Sequence, residues 1–167
     1  MPKGITLIGM PGVGKSTIGR LLAAKIGFSF VDLDNLIRDS EGKTHSQIAK
    51  EKGDAELTRL EEFYTRGLNL ERTVFSPGGS IVYSESAMEK LCRETNVIYL
   101  SAPLATIEQR LGDGIAGRGI VGFAEKGLAG VFLERQPLYE KYAHRKIECD
   151  TETAEQLADR ISSLPLV

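Results

Sequence analysis

The sequence contains no tryptophan, and only two cysteines and two histidines among its 167 residues. Cys92 and Cys149 lie far apart and match neither a CxxC redox pair nor the paired spacing of a zinc site, so both thiols read as idle. His45 and His144 fall in no pattern suited to metal or general-base work; a polar helix start and a surface position account for them. No apolar run approaches the ~18 residues of a membrane span. A single lysine ahead of a short apolar stretch that runs into glycines does not make a secretory leader. A cytoplasmic protein with no membrane partner is expected.

What is present is an ordinary globular balance. Apolar residues make up 41% of the chain and charged residues 26%, with no low-complexity tract. Lys and Arg number 21 against 23 Asp and Glu, and the two signs are interspersed instead of forming a basic stripe. Nucleic acid is therefore not an expected partner. A chain of this length fits one domain that buries ~70% of the surface its unfolded form exposes. One domain over residues 1–167, acting as a monomer, is expected.

Short β-favouring runs at Gly4–Ile8 and Phe28–Leu33 flank a stretch, Lys15–Ile26, in which Ile18, Leu21, Leu22 and Ile26 recur at helical spacing. The alternation continues through strand patterns at Thr73–Ser76, Val97–Ser101 and Lys146–Cys149, and helical patterns at Ser84–Arg93, Leu104–Leu111 and Thr153–Ser162. This predicts an α/β fold with a parallel sheet covered on both faces. Thr44 with Gln47 reads as a capping box, Gly27 and Gly53 as C-terminal caps, Pro103 as a first helical turn, and Asp54–Leu70 as one long helix. Gly112, Gly114, Gly117, Gly119 and Gly122 crowd around Arg118 with few apolar anchors, the composition of either a plain surface loop or a mobile lid.

Gly9-Met10-Pro11-Gly12-Val13-Gly14-Lys15-Ser16 satisfies G-x-x-x-x-G-K-[ST] between the first strand and the first helix, the context this motif requires. Such a loop turns consecutive backbone N–H groups onto a phosphate, and the helix N-terminus adds partial positive charge. Lys15 brings a full charge to the outer phosphates of ATP, and the Ser16 hydroxyl is placed to hold Mg²⁺. Kinases, GTPases and motor ATPases share this loop. The guanine signature N-K-x-D is absent, and the strand Asn96–Ser101 carries no terminal aspartate. The acids are Asp32 and Asp34, at the carboxyl end of the second strand, where ligands gather in an open α/β sheet. A D-x-D there directs both carboxylates the same way along the pleat. Asp32 is assigned to water-mediated support of Mg²⁺, and Asp34 to accepting or orienting the proton of a substrate hydroxyl. A solvated helix N-cap is the other reading of Asp34.

Several segments in order, Gly9 to Arg20, Val31-Asp32-Leu33-Asp34, Gly53-Asp54 with Glu61, Gly78-Gly79, Arg118, and Arg135-Gln136-Pro137-Leu138-Tyr139, resemble the shikimate kinase family across most of the chain. The resemblance implies a three-layer α/β/α P-loop fold of the nucleoside-monophosphate-kinase type, with strand order 2-3-1-4-5. It also implies a lid at about 112–123 and a substrate-binding helical region at about 33–62. Carried over by position, Gly12, Val13, Gly14, Lys15, Ser16 and Thr17 hold ATP and Arg118 closes over its phosphates. Arg135 grips a substrate carboxylate, and Gly78 and Gly79 let backbone N–H groups approach the substrate. Arg110 corresponds to the residue that lies against adenine, or is simply the exposed end of a helix.

Two departures lie on the acceptor side. Thr58 stands where the family carries an arginine for the acceptor's carboxylate, and Arg59 points about 100° further round the helix. The family's triple glycine reads Pro77-Gly78-Gly79, which removes one N–H donor. Losing one charge-assisted hydrogen bond costs about 1.5–3 kcal/mol, or about ten- to a hundredfold in affinity. The expected reaction is ATP- and Mg²⁺-dependent phosphorylation of a hydroxyl on a small anionic metabolite, with shikimate giving shikimate 3-phosphate. Another hydroxy acid, such as homoserine, is the alternative that Thr58 raises, because a less positive pocket tolerates a substrate ammonium. A nucleotide-binding module that has lost catalysis is the reading of a different class.

Overall fold

The computed structural model describes residues 3–166; positions 1, 2 and 167 of the expected domain lie outside the described residues. The strand β1 (Gly4–Ile8) is buried along its whole length, as the centre of a parallel sheet covered on both faces must be, and so it reads as an unbroken apolar run. Around it, β2 (Ser29–Asp32), β3 (Thr73–Ser76), β4 (Thr95–Ser101) and β5 (Arg145–Glu148) complete an all-parallel sheet of order β2-β3-β1-β4-β5. The register pairs Asp32 with Ser76 and Ile5 with Val74. Ile5, Leu7, Val74, Phe75, Val97 and Ile98 are fully buried at the middle of the core, each such side chain contributing ~1.5–3 kcal/mol.

Helices α1 (Lys15–Ile26), α2 (Leu33–Glu41), α3 (His45–Lys52), α4 (Asp54–Gly67), α5 (Glu85–Glu94), α6 (Leu104–Leu111), α7 (Phe123–Tyr142) and α8 (Ala154–Ser162) cover the sheet. The capping box of Thr44 and Gln47 is present, with both reciprocal bonds. Several elements differ from expectation, mostly by one or two residues at an end. The strand predicted at Phe28–Leu33 is only four residues, because Leu33 already opens α2. Helix α4 stops at Gly67, where Leu68 turns extended (φ -77°, ψ 140°). Pro103 caps α6 from outside the first turn. Helix α7 was not foreseen: Gly127 (φ 66°) kinks it and Pro137 sits inside it, which breaks the periodic signal.

Because β1 lies between β3 and β4, the chain leaves β1 toward one side and later crosses to the other. The carboxyl ends of β1, β2 and β3 consequently open on a common crevice, the usual ligand position in such sheets.

Candidate active site

That crevice is a cleft of about 420 Å³ lined by the loop before α1, the ends of β2 and β3, the start of α3, one residue of α4, the lid and Arg135 of α7. In the loop before α1, Gly12 (φ 83°) and Gly14 (φ 108°) adopt left-handed backbone that other residues strain to reach. No side chain caps the N-terminus of α1, so its leading N–H groups remain open to an anion. Lys15 folds over the same loop, donating to Gly9 O at 2.8 Å and Met10 O at 2.9 Å. Burial pulls its pKa from 10.5 down to about 8, against the upward pull of Asp34 and Asp32. A polyphosphate would stabilise the charged form by the same Coulomb attraction.

Ser16 Oγ donates to Asp32 Oδ2 and lies 3.4 Å from Ser76 Oγ. Asp32, through its other oxygen, accepts from Asn35 N at 3.2 Å and is the N-cap of α2. The N-cap role weighed for Asp34 therefore falls to Asp32. Asp34 lies inside the first turn of α2, so a helical turn and not the strand pleat brings it to the cleft. Its side chain is 60% exposed, facing the cleft, with His45 Nδ1 3.4 Å from Oδ1. Partial loss of water raises its pKa, while His45, when protonated, and Lys15 oppose the rise.

Across the cleft lies a third carboxylate, and this one is buried. Glu61 of α4 accepts from Ser80 Oγ at 2.5 Å, and burial pushes its pKa from 4.5 up to about 7. Gly78 sits beside both acids: a methyl group there would lie 3.2 Å from Glu61 Oε1 and 3.5 Å from Asp34 Oδ1. Arg135 is 1% exposed and is held by Tyr83 Oη at 3.3 Å and Val121 O at 2.9 Å. Its Nη1 faces the backbone of Gly79, where an added methyl would come within 2.8 Å. Tyr139 Oη, which donates to Gly79 O at 2.7 Å, fixes that backbone.

In the lid, a 3₁₀ helix runs over Gly112–Arg118, and Arg118 reaches the cleft close enough to act electrostatically on Lys15 and Asp34. Gly122 N donates to Asp54 Oδ2 at 2.9 Å, which seats the lid on α4. Arg110 donates to Val13 O and Cys149 O, both at 3.0 Å. Both terminal nitrogens of its guanidinium are thus committed to the protein.

Of the residues singled out from sequence, Gly12, Gly14, Lys15, Ser16, Thr17, Asp32, Asp34, Gly78, Gly79, Arg110, Arg118 and Arg135 meet in this cleft. Val13 contributes its carbonyl to the same loop while its side chain is buried. Thr58 is not brought in. Its hydroxyl turns back to Asp54 O at 3.0 Å, and it borders a separate groove on the outer side of α4. Arg59 is clamped on Glu56 at 2.7 and 2.8 Å and lines that groove too. His45, Glu61, Ser76 and Ser80 were given no role in advance, yet all line the cleft.

A phosphate loop at the head of α1, two aspartates opposite it and an arginine-bearing lid on a sheet of order β2-β3-β1-β4-β5 define a P-loop kinase of small molecules. The comparisons narrow the class. The family described as shikimate kinase matches residues 11–164. The shikimate kinase of Persephonella marina is 34% identical over 160 residues, covering 95% of this chain and 96% of its own. That of Chlorobium chlorochromatii is 38% identical over 165 residues, covering 97% and 86%. The solved shikimate kinase of Acinetobacter baumannii in complex with shikimate superposes with a TM-score of 0.89 at 30% identity, covering 96% of this chain and 91% of that one. This chain belongs to the shikimate kinase family.

Proposed function

We propose that the protein transfers the γ-phosphoryl group of ATP to a hydroxyl of shikimate, giving shikimate 3-phosphate, in the route to aromatic amino acids. The observation that carries this reading is the division of one cleft. Phosphate-loop N–H groups and Lys15 occupy one side, Arg135 and the Gly78-Gly79 backbone the other, and Asp34 lies within electrostatic reach of Lys15. A solved relative holding shikimate supports the acceptor's identity.

Gly12 to Thr17 hold the phosphates, and Arg110 stacks on the adenine. Lys15 and Arg118 follow the charge that spreads over the transferring group, the dominant contribution in phosphoryl transfer. Ser16 and Asp32, with Ser76 beside them, present only oxygen atoms, the donor set a hard cation takes, and are the residues that would hold Mg²⁺. Mg²⁺ so bound neutralises phosphate charge. Asp34 orients the acceptor hydroxyl and takes up its proton, and Arg135 pairs with the acceptor carboxylate through the Nη1 that faces Gly79. The protein carries out this chemistry as a single domain. Among the described residues no helix is long and apolar enough to cross a membrane.

One observation favours a second acceptor. Thr58 supplies no charge, and among the described residues Glu61 has no arginine as a hydrogen-bond partner, which suits an acceptor with an ammonium, such as homoserine. Purified protein with ATP and Mg²⁺, offered shikimate and a panel of hydroxy acids, decides between them. Shikimate 3-phosphate is expected, with turnover lost in Lys15→Met; ADP release with homoserine alone would move the function to the second reading.

A further inference from the structure

His45 is the first residue of α3. Its ring is 12% exposed, with Nδ1 3.4 Å from Asp34 Oδ1. Nε2 is buried and meets no hydrogen-bond partner among the described residues. The residue lines the cleft beside Asp34, Glu61, Gly78 and Arg135. Two features hold it there. The capping box of Thr44 and Gln47 fixes the start of α3, and the lid presses on the same turn, since a methyl at Gly119 would lie 2.9 Å from the His45 carbonyl carbon and 2.7 Å from Ser46 N.

When the ring carries a single proton, a carboxylate oxygen facing Nδ1 favours that proton on Nδ1, which leaves Nε2 as a lone-pair acceptor. A buried acceptor with nothing to accept is costly, and native structures rarely leave one so. The partner that fits is a hydroxyl delivered by the ligand. We infer that His45 is a specificity-determining residue: Nε2 accepts a hydrogen bond from a second acceptor hydroxyl, next to the one that takes the phosphoryl group, while Nδ1–H steadies Asp34.

The acceptor class this selects is a polyhydroxy acid. Homoserine, with a single hydroxyl, has no second hydroxyl to offer Nε2. The inference rests on the function proposed above and sharpens it.

Two substitutions separate the ring's two contacts. His45→Asn keeps an amide near Asp34 and lacks any group at Nε2; His45→Gln carries its amide out toward the Nε2 position. KM for shikimate is expected to rise about tenfold in His45→Asn, a loss of about 1.4 kcal/mol, with KM for ATP unchanged. His45→Gln recovers most of the affinity. With a shikimate analogue that lacks the hydroxyl beside the phosphorylated one, wild type and His45→Asn should share one KM. If wild type phosphorylates shikimate and His45→Asn keeps its KM, or loses equally on the analogue, the hydroxyl contact is overturned while the function stands. A wild type that leaves shikimate untouched overturns the function and this inference together.

Discussion

At the scale of single residues, the cleft wall at Gly78 and Gly79 depends on what glycine leaves out. Gly79 has an ordinary φ, so its constraint is space and not strain: a methyl there meets Arg135 Nη1 at 2.8 Å and Pro11 Cδ and Tyr139 Oη at 3.1 Å. Arg135 is pinned by Tyr83 and Val121, so its guanidinium has little freedom to yield. Gly79→Ala should raise KM for shikimate at least about tenfold, the worth of one charge-assisted hydrogen bond, with KM for ATP little changed; an equal rise in both would point to a general loss of fold. Thr58 is the converse case, a residue too short. It precedes Glu61 by three positions, so an arginine there would be a neighbour of Glu61 on the surface of α4. Thr58→Arg is expected to lower KM for shikimate about tenfold, and no gain in a shikimate titration would show that Arg135 alone serves the carboxylate. The phosphate loop was legible in sequence because its residues are contiguous and their chemistry is local. Glu61 and His45 were not, since each acquires meaning only from partners distant in the chain, Ser80 for one and Asp34 for the other.

Among the elements, the central strand and the helix capped by Thr44 announced themselves, since burial on both faces leaves β1 mostly apolar and Thr44 with Gln47 forms a paired cap. The lid did not announce its docking. Glycine content alone left it equally a plain loop, whereas the structure ties Gly122 N to Asp54 Oδ2 and seats Gly119 against α3. Asp54→Ala removes the exposed Gly122 bond, so the cost to global stability should be small, within about 1 kcal/mol. Lid closure sequesters many kinase sites, and the variant is accordingly expected to raise KM for ATP a few-fold and to speed protease cutting near Arg118 in the nucleotide-bound protein. Identical cutting of the two proteins under ATP would mean the bond does not hold the lid. Gly119→Ala should act more strongly, for its φ of 65° and the 2.7 Å approach to Ser46 N both oppose a side chain.

For the molecule as a whole, the resemblance implied the strand order, but the energetic consequence of crowding three carboxylates, Asp32, Asp34 and Glu61, around one cleft was visible only once it was folded. Of the three, Glu61 is the buried one. Burial raises its pKa from 4.5 to about 7, with the Ser80 hydrogen bond pulling the other way. Between those values the folded protein holds a proton that the unfolded chain has released, so stability falls as pH rises through the window. The contribution is fully present below about pH 4.5 and lost above about 7; at about 1.4 kcal/mol per pH unit it amounts to about 3 kcal/mol. A glutamine at this position cannot titrate and can still bond Ser80. In urea unfolding, Glu61→Gln should therefore gain on wild type by about 2–3 kcal/mol between pH 5 and pH 8, the gap opening as pH rises. Stability curves that stay parallel across that range would show that the carboxylate keeps its charge inside the cleft, balanced by Arg135 and Lys15. In Thr58→Arg, where the added guanidinium supplies that balance by design, the gap should shrink.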